Sequence, residues 1–186
     1  MKKNSRKNSK SDIFNATNSL KILSYLADKP GKEFMGTEIA NAAGISRCGV
    51  YLALKELKKQ KLVSVTKRGK FFLYLIIYDD SAIRQFKVLK NVLALRPVIS
   101  KLKSFSRKII LYGSYARGDN DLSSDIDLFI VAKDPEGVKE AVSSIKIKQK
   151  IQAVIKTSSE LAELKDSEKV FMHEVDLGIV LWEEKT

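Results

Sequence analysis

Ile109-Ile110-Leu111-Tyr112-Gly113-Ser114-Tyr115-Ala116-Arg117-Gly118, followed after a polar loop by Ser124-Asp125-Ile126-Asp127-Leu128-Phe129-Ile130-Val131, decides how the C-terminal half of this chain is read. The first apolar run, residues 107–112, reads as a strand. It leads directly into Gly113-Ser114, where Tyr115-Ala116-Arg117 can begin a helix. A glycine there lets backbone approach a ligand closely, and a serine hydroxyl with the free N–H groups of a helix start can hold phosphate oxygens. Arg117 either adds positive charge to such a site or anchors the turn. Asp125 and Asp127 stand two apart at the start of the second run, so they face one side of a strand while Ile126 and Leu128 face the other. Two carboxylates on one face are costly unless a cation lies between them, and Mg²⁺ or Mn²⁺ suits an all-oxygen site. A merely solvated pair is the plain alternative. The Gly-Ser pair one strand earlier favours a nucleoside triphosphate held beside metal.

These residues resemble the signature of the DNA polymerase β nucleotidyltransferase superfamily, in its small prokaryotic branch, over about residues 88–183. The resemblance implies a small mixed β-sheet flanked by helices. It also implies transfer of a nucleoside monophosphate from an NTP to a hydroxyl, with release of pyrophosphate. Gly113 and Ser114 would then bind phosphates, and Asp125 and Asp127 would be catalytic metal ligands. One position departs. Such proteins usually supply a third carboxylate from a later strand, expected here over 147–155, and the matching inward position is Gln152. Glutamine takes no proton at neutral pH and is a weaker Mg²⁺ ligand. Asp119, Asp121 and Glu160 are near in sequence but none sits where the pattern expects.

The chain has 186 residues and a net charge of +12, room for one large or two small domains. Residues 1–80 hold 16 Lys/Arg against 7 Asp/Glu, and residues 81–186 hold 18 against 15. The surplus therefore belongs mostly to the N-terminal part and favours an acidic partner there, most simply nucleic acid. Cys48 is the single cysteine, which excludes an intrachain disulfide and suits a reducing cytoplasm. No apolar run approaches a membrane span. Residues 1–11 read as a basic flexible tail, with no apolar segment of the secretory kind behind it.

Residues 12–80 alternate helix and turn signals. Leu20, Leu23 and Leu26 have helical spacing, and Asp28-Lys29-Pro30-Gly31 stops that helix. Thr37 reads as N-cap of a short helix, Gly44 as a tight turn, and Ser46 as N-cap of a third helix with Val50, Leu54 and Leu57 inward. Residues 62–66 and 71–78 read as strands around a Lys67-Arg68-Gly69-Lys70 tip. The segment resembles a winged helix-turn-helix domain. The resemblance implies DNA contacts from Ser46, Arg47, Tyr51 and Lys55 on the third helix, and from Lys67, Arg68 and Lys70 on the hairpin. Cys48 reads as a buried or half-buried small side chain.

The expected organisation is therefore an α/β (α+β) chain. A DNA-binding winged helix over 12–80 precedes a nucleotidyltransferase-like domain over 81–186 that includes a connecting helix. That helix has Ile83, Phe86, Leu89 and Val92/Leu93 as its apolar face and is broken or kinked at Arg96-Pro97. Farther on, residues 158–164 and 167–176 read as helices and 178–182 as a last strand. The Lys-rich 146–150 run reads as a solvated strand edge, His173 as a surface or helix-end residue and Trp182 as packing. The leading functional reading is an Mg²⁺-dependent nucleotidyltransferase tied to DNA, with a protein as one class of acceptor. The alternative is a DNA-binding regulator whose second domain binds a ligand without turnover. Two-fold DNA sites add the expectation of a homodimer.

Overall fold

Helix α1 (Asn18–Ala27) starts where Thr17 Oγ1 accepts the Leu20 amide at 3.2 Å. Its Ile22, Leu23, Leu26 and Ala27 are buried, as a helical stripe at this spacing requires. The computed structural model describes residues 13–185, and the basic tail expected over residues 1–11 lies outside them. The chain divides into two compact units, one ending at Asp80 and one starting at Ser81.

In the first unit α1 is followed by strand β1 (Phe34–Met35), helix α2 (Gly36–Ala43), helix α3 (Arg47–Lys59) and strands β2 (Val63–Arg68) and β3 (Phe71–Ile76). Strands β2 and β3 form an antiparallel hairpin from Val63↔Ile76 to Arg68↔Phe71, and β1 pairs with the other edge of β3. Gly44 closes α2 in the left-handed region, and Ser46 Oγ accepts the Gly49 amide at 3.2 Å to open α3. Val50, Ala53, Leu54 and Leu57 of α3 are buried against this core.

Two readings change here. Thr37 is not an N-cap: the Glu38 carboxylate accepts the Met35 N–H at 2.7 Å and starts α2 two residues earlier. Cys48 is exposed, not half-buried. It lies two residues before Val50, about 200° around the helix from the inward line.

The second unit is one mixed sheet between two helical layers. Its elements are helix α4 (Ser81–Leu102), strand β4 (Ser106–Tyr112), helix α5 (Gly113–Arg117) and strand β5 (Ile126–Ala132). Helix α6 (Pro135–Ser143), strand β6 (Ile151–Lys156), helices α7 (Ser158–Ser167) and α8 (Lys169–Asp176), and strand β7 (Ile179–Glu183) follow. The strand order is β6-β5-β4-β7, with β6 parallel to β5 and the other pairs antiparallel. Period-2 alternation divides β5 between two cores. Ile126, Leu128 and Ile130 pack with Leu95, Val98 and Leu102 of α4 and Val138 of α6. Phe129 and Val131 pack with Met172 and Val175 of α8, with Leu161 and Leu164 of α7 at the edge. Asp127 shares the parity of Phe129, so it opens the α8 side of the sheet.

Helix α4 departs most from its expected reading. Its buried line is Ile83, Lys87, Asn91, Leu95, Val98 and Leu102, whereas Leu89 is 47% exposed. The line contains two polar residues because both Lys87 and Asn91 are hydrogen-bonded there. Pro97 does not break the helix. An interior proline costs about 3 kcal/mol, and Leu95, Val98 and Leu102 on either side of it hold the two halves against one core.

Smaller shifts follow from local chemistry. The strand expected from residue 147 begins at Ile151, so Lys146, Lys148 and Lys150 are exposed loop residues and not a strand edge. Thr157 caps α7, because Glu160 closes a reciprocal box with it. His173 is exposed on α8, and Trp182 is half-buried against the α4 core.

Gly118 ends α5 at φ 74°, and a Cβ there would strike the carbonyl oxygen of Arg84 on α4. Gly118→Ala should destabilise the second unit by roughly 2–5 kcal/mol, combining left-handed strain with a backbone clash. Trp182 is the only tryptophan, so its fluorescence during urea unfolding follows this unit. A midpoint within error of the wild-type value would refute the close packing of α5 on α4.

Candidate active site

The turn from β4 into α5 brings the first half of the site into place. Tyr112 ends β4 and pairs across the sheet with Asp127 of β5. Gly113 follows at φ 66°, a conformation that costs a side-chain-bearing residue about 1–2 kcal/mol. A Cβ on Gly113 would also lie 2.5 Å from Asp127 Oδ2. The bare glycine thus gives room to the carboxylate as well as the turn. Ser114 comes next, half-buried in the first turn of α5.

Asp125 and Asp127 provide the second half. Neither is fully buried, while Ile126 and Leu128 between and beside them are. The two carboxylates therefore share the side expected from their spacing. Gln152 reaches the same place from β6. It stands opposite Asp127 in the parallel register, and its Nε2 donates to Asp125 Oδ2. The expected third-carboxylate position is thus at the site, filled by an amide that binds one aspartate.

The electrostatics show a surplus of negative charge. Asp127 titrates above the ordinary aspartate value, first because it is partly buried, then because Asp125 and Glu174 are negative; Arg117 works in the opposite sense. Tyr112 is likewise pushed up by burial and then by Asp127 and Glu174. Its ring meets Phe171 of α8 edge-on at 5.8 Å between centroids. Arg117 donates to Asp119 Oδ2 and to Glu174 Oε1, both at 3.2 Å, which favours its charged form further, led by the Asp119 bond. Arg117 therefore ties the end of α5 to α8. Asp121 is occupied with the amides and hydroxyls of Ser123 and Ser124, and Glu160 with Thr157.

A buried polar cradle carries the loop between the two halves. Lys87 is 3% exposed and its Nζ donates to the Asn120 carbonyl. Asn91 Nδ2 donates to the Tyr115 carbonyl and to Asn120 Oδ1, both at 2.9 Å. Two side chains one helical turn apart on α4 thus hold α5 and the loop that delivers Asp125. Sequence reasoning missed Lys87, Asn91, Asn120 and Glu174. The available signal was the i, i+4 pair Lys87/Asn91 lying between Ile83 and Leu95 on one helical line.

Residues 97–186 match the family described as Polymerase beta, Nucleotidyltransferase. This segment is of nucleotidyltransferase type and contains every residue of the site except the α4 pair. The chain is also similar to "Putative protein adenylyltransferase MJ0141" of Methanocaldococcus jannaschii, at 48% identity over 46 residues. That similarity spans 25% of this chain and 46% of the relative, less than half the relative's length. No helix among the described residues is long and apolar enough to cross a membrane.

In the first unit, the residues expected to contact DNA divide into groups. Arg47, Tyr51 and Lys70 line one cavity between α3 and the β2–β3 hairpin, and Lys55 joins Tyr51 in an adjoining one. Arg68 instead pairs with Glu33 at 2.9 Å. Ser46 is the N-cap of α3, and Lys67 is exposed on β2.

The sign of the Asp127 shift makes a stability prediction. A carboxyl whose folded value is raised favours folding when protonated, and that advantage is lost as pH rises through the folded value. In EDTA at neutral pH, Asp127→Asn should therefore raise the melting temperature of the second unit. The gain should disappear below about pH 4, where aspartate is protonated in the unfolded chain as well. A variant less stable than wild type at neutral pH would contradict the charge surplus.

Proposed function

We propose that the second unit transfers a nucleoside monophosphate from an NTP to a hydroxyl acceptor and releases pyrophosphate. The observation that carries this reading is the seating of the Asp127 carboxylate against Gly113, with Asp125 on the same side. One contact joins the phosphate-binding turn to the acidic pair. In this reading Ser114 Oγ and the amides opening α5 hold phosphate oxygens. The acceptor oxygen forms a bond to the α-phosphorus, and the bond from that phosphorus to the bridging oxygen of the leaving pyrophosphate breaks. The acceptor's proton passes to solvent, since Gln152 cannot take it.

The donor chemistry fits a divalent cation. Among the described residues no group of three or more His, Cys, Asp or Glu is placed to hold a metal. Mg²⁺, however, is commonly bound by one or two carboxylates with substrate phosphates completing its shell. Asp125 and Asp127 would hold it, and the charge surplus at Asp127 favours a cation there. A cation held there by Asp125 and Asp127 would supply positive charge toward the phosphoryl oxygens.

The acceptor follows from the relative named as a protein adenylyltransferase: we take ATP as donor and a protein hydroxyl as acceptor. The first unit, three helices with a β-hairpin, supports a winged helix that contacts nucleic acid through α3 and the hairpin. The Gln152–Asp125 hydrogen bond favours a second reading, a regulator whose second unit binds nucleotide without turnover.

One experiment separates the two. With ATP labelled on the α-phosphate, Mg²⁺ or Mn²⁺ and a cell extract, wild type should label a protein. Asp125→Asn/Asp127→Asn should lower this by about 100-fold or more, the scale for removing an electrostatic contribution to transfer. Label that survives the double substitution removes the site. No label, with salt-dependent DNA binding lost in Arg47→Ala, selects the regulator.

Metal has its own readout. Mn²⁺ with ATP should raise the melting temperature of the wild-type second unit, and should leave the double variant where it was. Equal shifts in both proteins would place the cation elsewhere.

A further inference from the structure

The first unit has an unusual surface between α3 and its hairpin. Tyr51, Phe71 and Phe72 are 62%, 50% and 52% exposed, although each aromatic ring is a large apolar surface that folding normally covers. They are not scattered. Tyr51, Leu54, Phe72 and Tyr74 form a wall shared by two adjoining cavities of about 310 and 450 Å³. Phe72 and Tyr74 lie on one face of β3 by the strand's period, opposite Lys67 and Val65 of β2, and Phe71 lines the end beside the Gly69-Lys70 turn.

The rim is cationic throughout. Arg47 and Lys70 line one cavity, Lys55 and Lys58 the other, and neither cavity has an Asp or Glu in its lining. Lys70 Nζ stands 5.5 Å from the centre of the Phe71 ring, so positive charge and aromatic surface meet at the same edge. An acidic peptide would satisfy the rim and leave the rings uncovered. A lipid chain would cover the rings and leave the cations unmatched. Duplex DNA presents stacked bases by their edges alone, so it offers these rings no π-face. A single strand offers both: phosphates at regular spacing, and bases free to stack.

We infer that the groove between α3 and the β2–β3 hairpin binds single-stranded nucleic acid, its unpaired bases stacking on Tyr51 and Phe72 while Arg47, Lys55, Lys58 and Lys70 hold the backbone. The inference deepens the nucleic-acid reading of the first unit and rests on it; it does not depend on nucleotidyl transfer. It also gives the exposed phenylalanines a purpose that groove reading of a duplex leaves without one.

The test uses the full chain and two fluorescein-labelled probes, a short oligothymidylate and a duplex of equal length, at one fixed near-physiological salt concentration. Fluorescence anisotropy should show the single strand bound more tightly than the duplex. Phe72→Leu keeps apolar bulk but has no ring, and should weaken single-strand binding by roughly 10-fold or more with duplex binding little changed; Phe72→Trp should restore it. Circular dichroism of each variant establishes that the hairpin still folds, and Tyr51→Ala on α3 gives a second measure if it does not. A duplex bound at least as tightly as the single strand, or a Phe72→Leu variant that loses neither, overturns the stacking inference and leaves the nucleic-acid reading standing. No binding of either probe overturns both. A wild-type dimer that dissociates in Phe72→Leu, with no nucleic acid bound, assigns the groove to a second copy of the chain.

Discussion

The second unit depends on one close approach: the carboxylate of Asp127 lies where any side chain on Gly113 would be. Gly113 follows directly on β4, and it meets Asp127 of the neighbouring antiparallel β5 because Tyr112 is paired with Asp127. Sheet register, turn geometry and acidic charge are therefore fixed together. Shifting β5 by one residue would turn Asp127 and Asp125 into the α4 core and bring Ile126 and Leu128 to the α8 side. The cores forbid that slip, since Ile126, Leu128 and Ile130 are all nearly inaccessible on their own side. Packing on one face of the sheet thus holds charge on the other.

The same constraint explains why α4 carries Lys87 and Asn91 in a buried line. The loop from Gly118 to Ser124 must cross from the end of α5 to the start of β5 and present Asp125. A loop left to itself has no reason to hold one path. Asn91 binds the carbonyl at Tyr115 and the side chain of Asn120, and Lys87 binds the carbonyl of Asn120. Burying a charged amine is costly unless it is hydrogen-bonded, so this lysine is informative about what α4 is for. It is a scaffold for the loop as well as a cover for the sheet.

Much of this was legible in sequence, and the reasons differ by residue. The strands and the acidic pair were readable because their pattern is local: apolar runs, a glycine at a turn, and a period of two. The cap at Ser46 and the inward line of α3 were readable for the same reason, whereas the Thr17 cap of α1 was not read. Gln152 was read at its position through the resemblance, but its hydrogen bond to Asp125 was not, and Glu174 was missed because it is brought in by the packing of α8. The face of α4 was misread because hydrophobicity alone selects Phe86 and Leu89. The helix instead turns a mixed line toward the one loop whose carbonyls match it. The break offered at Pro97 does not occur, because its cost is local and its compensation, the packing of Leu95, Val98 and Leu102, is not. Cys48 was misplaced by taking a small side chain as inward when the helical angle puts it out.

Gln152 shows how far binding and turnover can separate at one site. Its amide donates to Asp125, so it orients that carboxylate without removing any of its charge. A third carboxylate in its place would add to a surplus that already raises the titration of Asp127. The amide therefore leaves an arrangement whose negative charge one divalent cation can balance. Holding a cation and triphosphate together requires only that balance. Turnover additionally requires a route for the acceptor's proton, and water supplies one more slowly than a placed base does. If the proposed transfer takes place here, its rate is set by how well the acceptor is delivered. For such an enzyme, recognition of the acceptor matters more to specificity than the acid–base chemistry of the site itself.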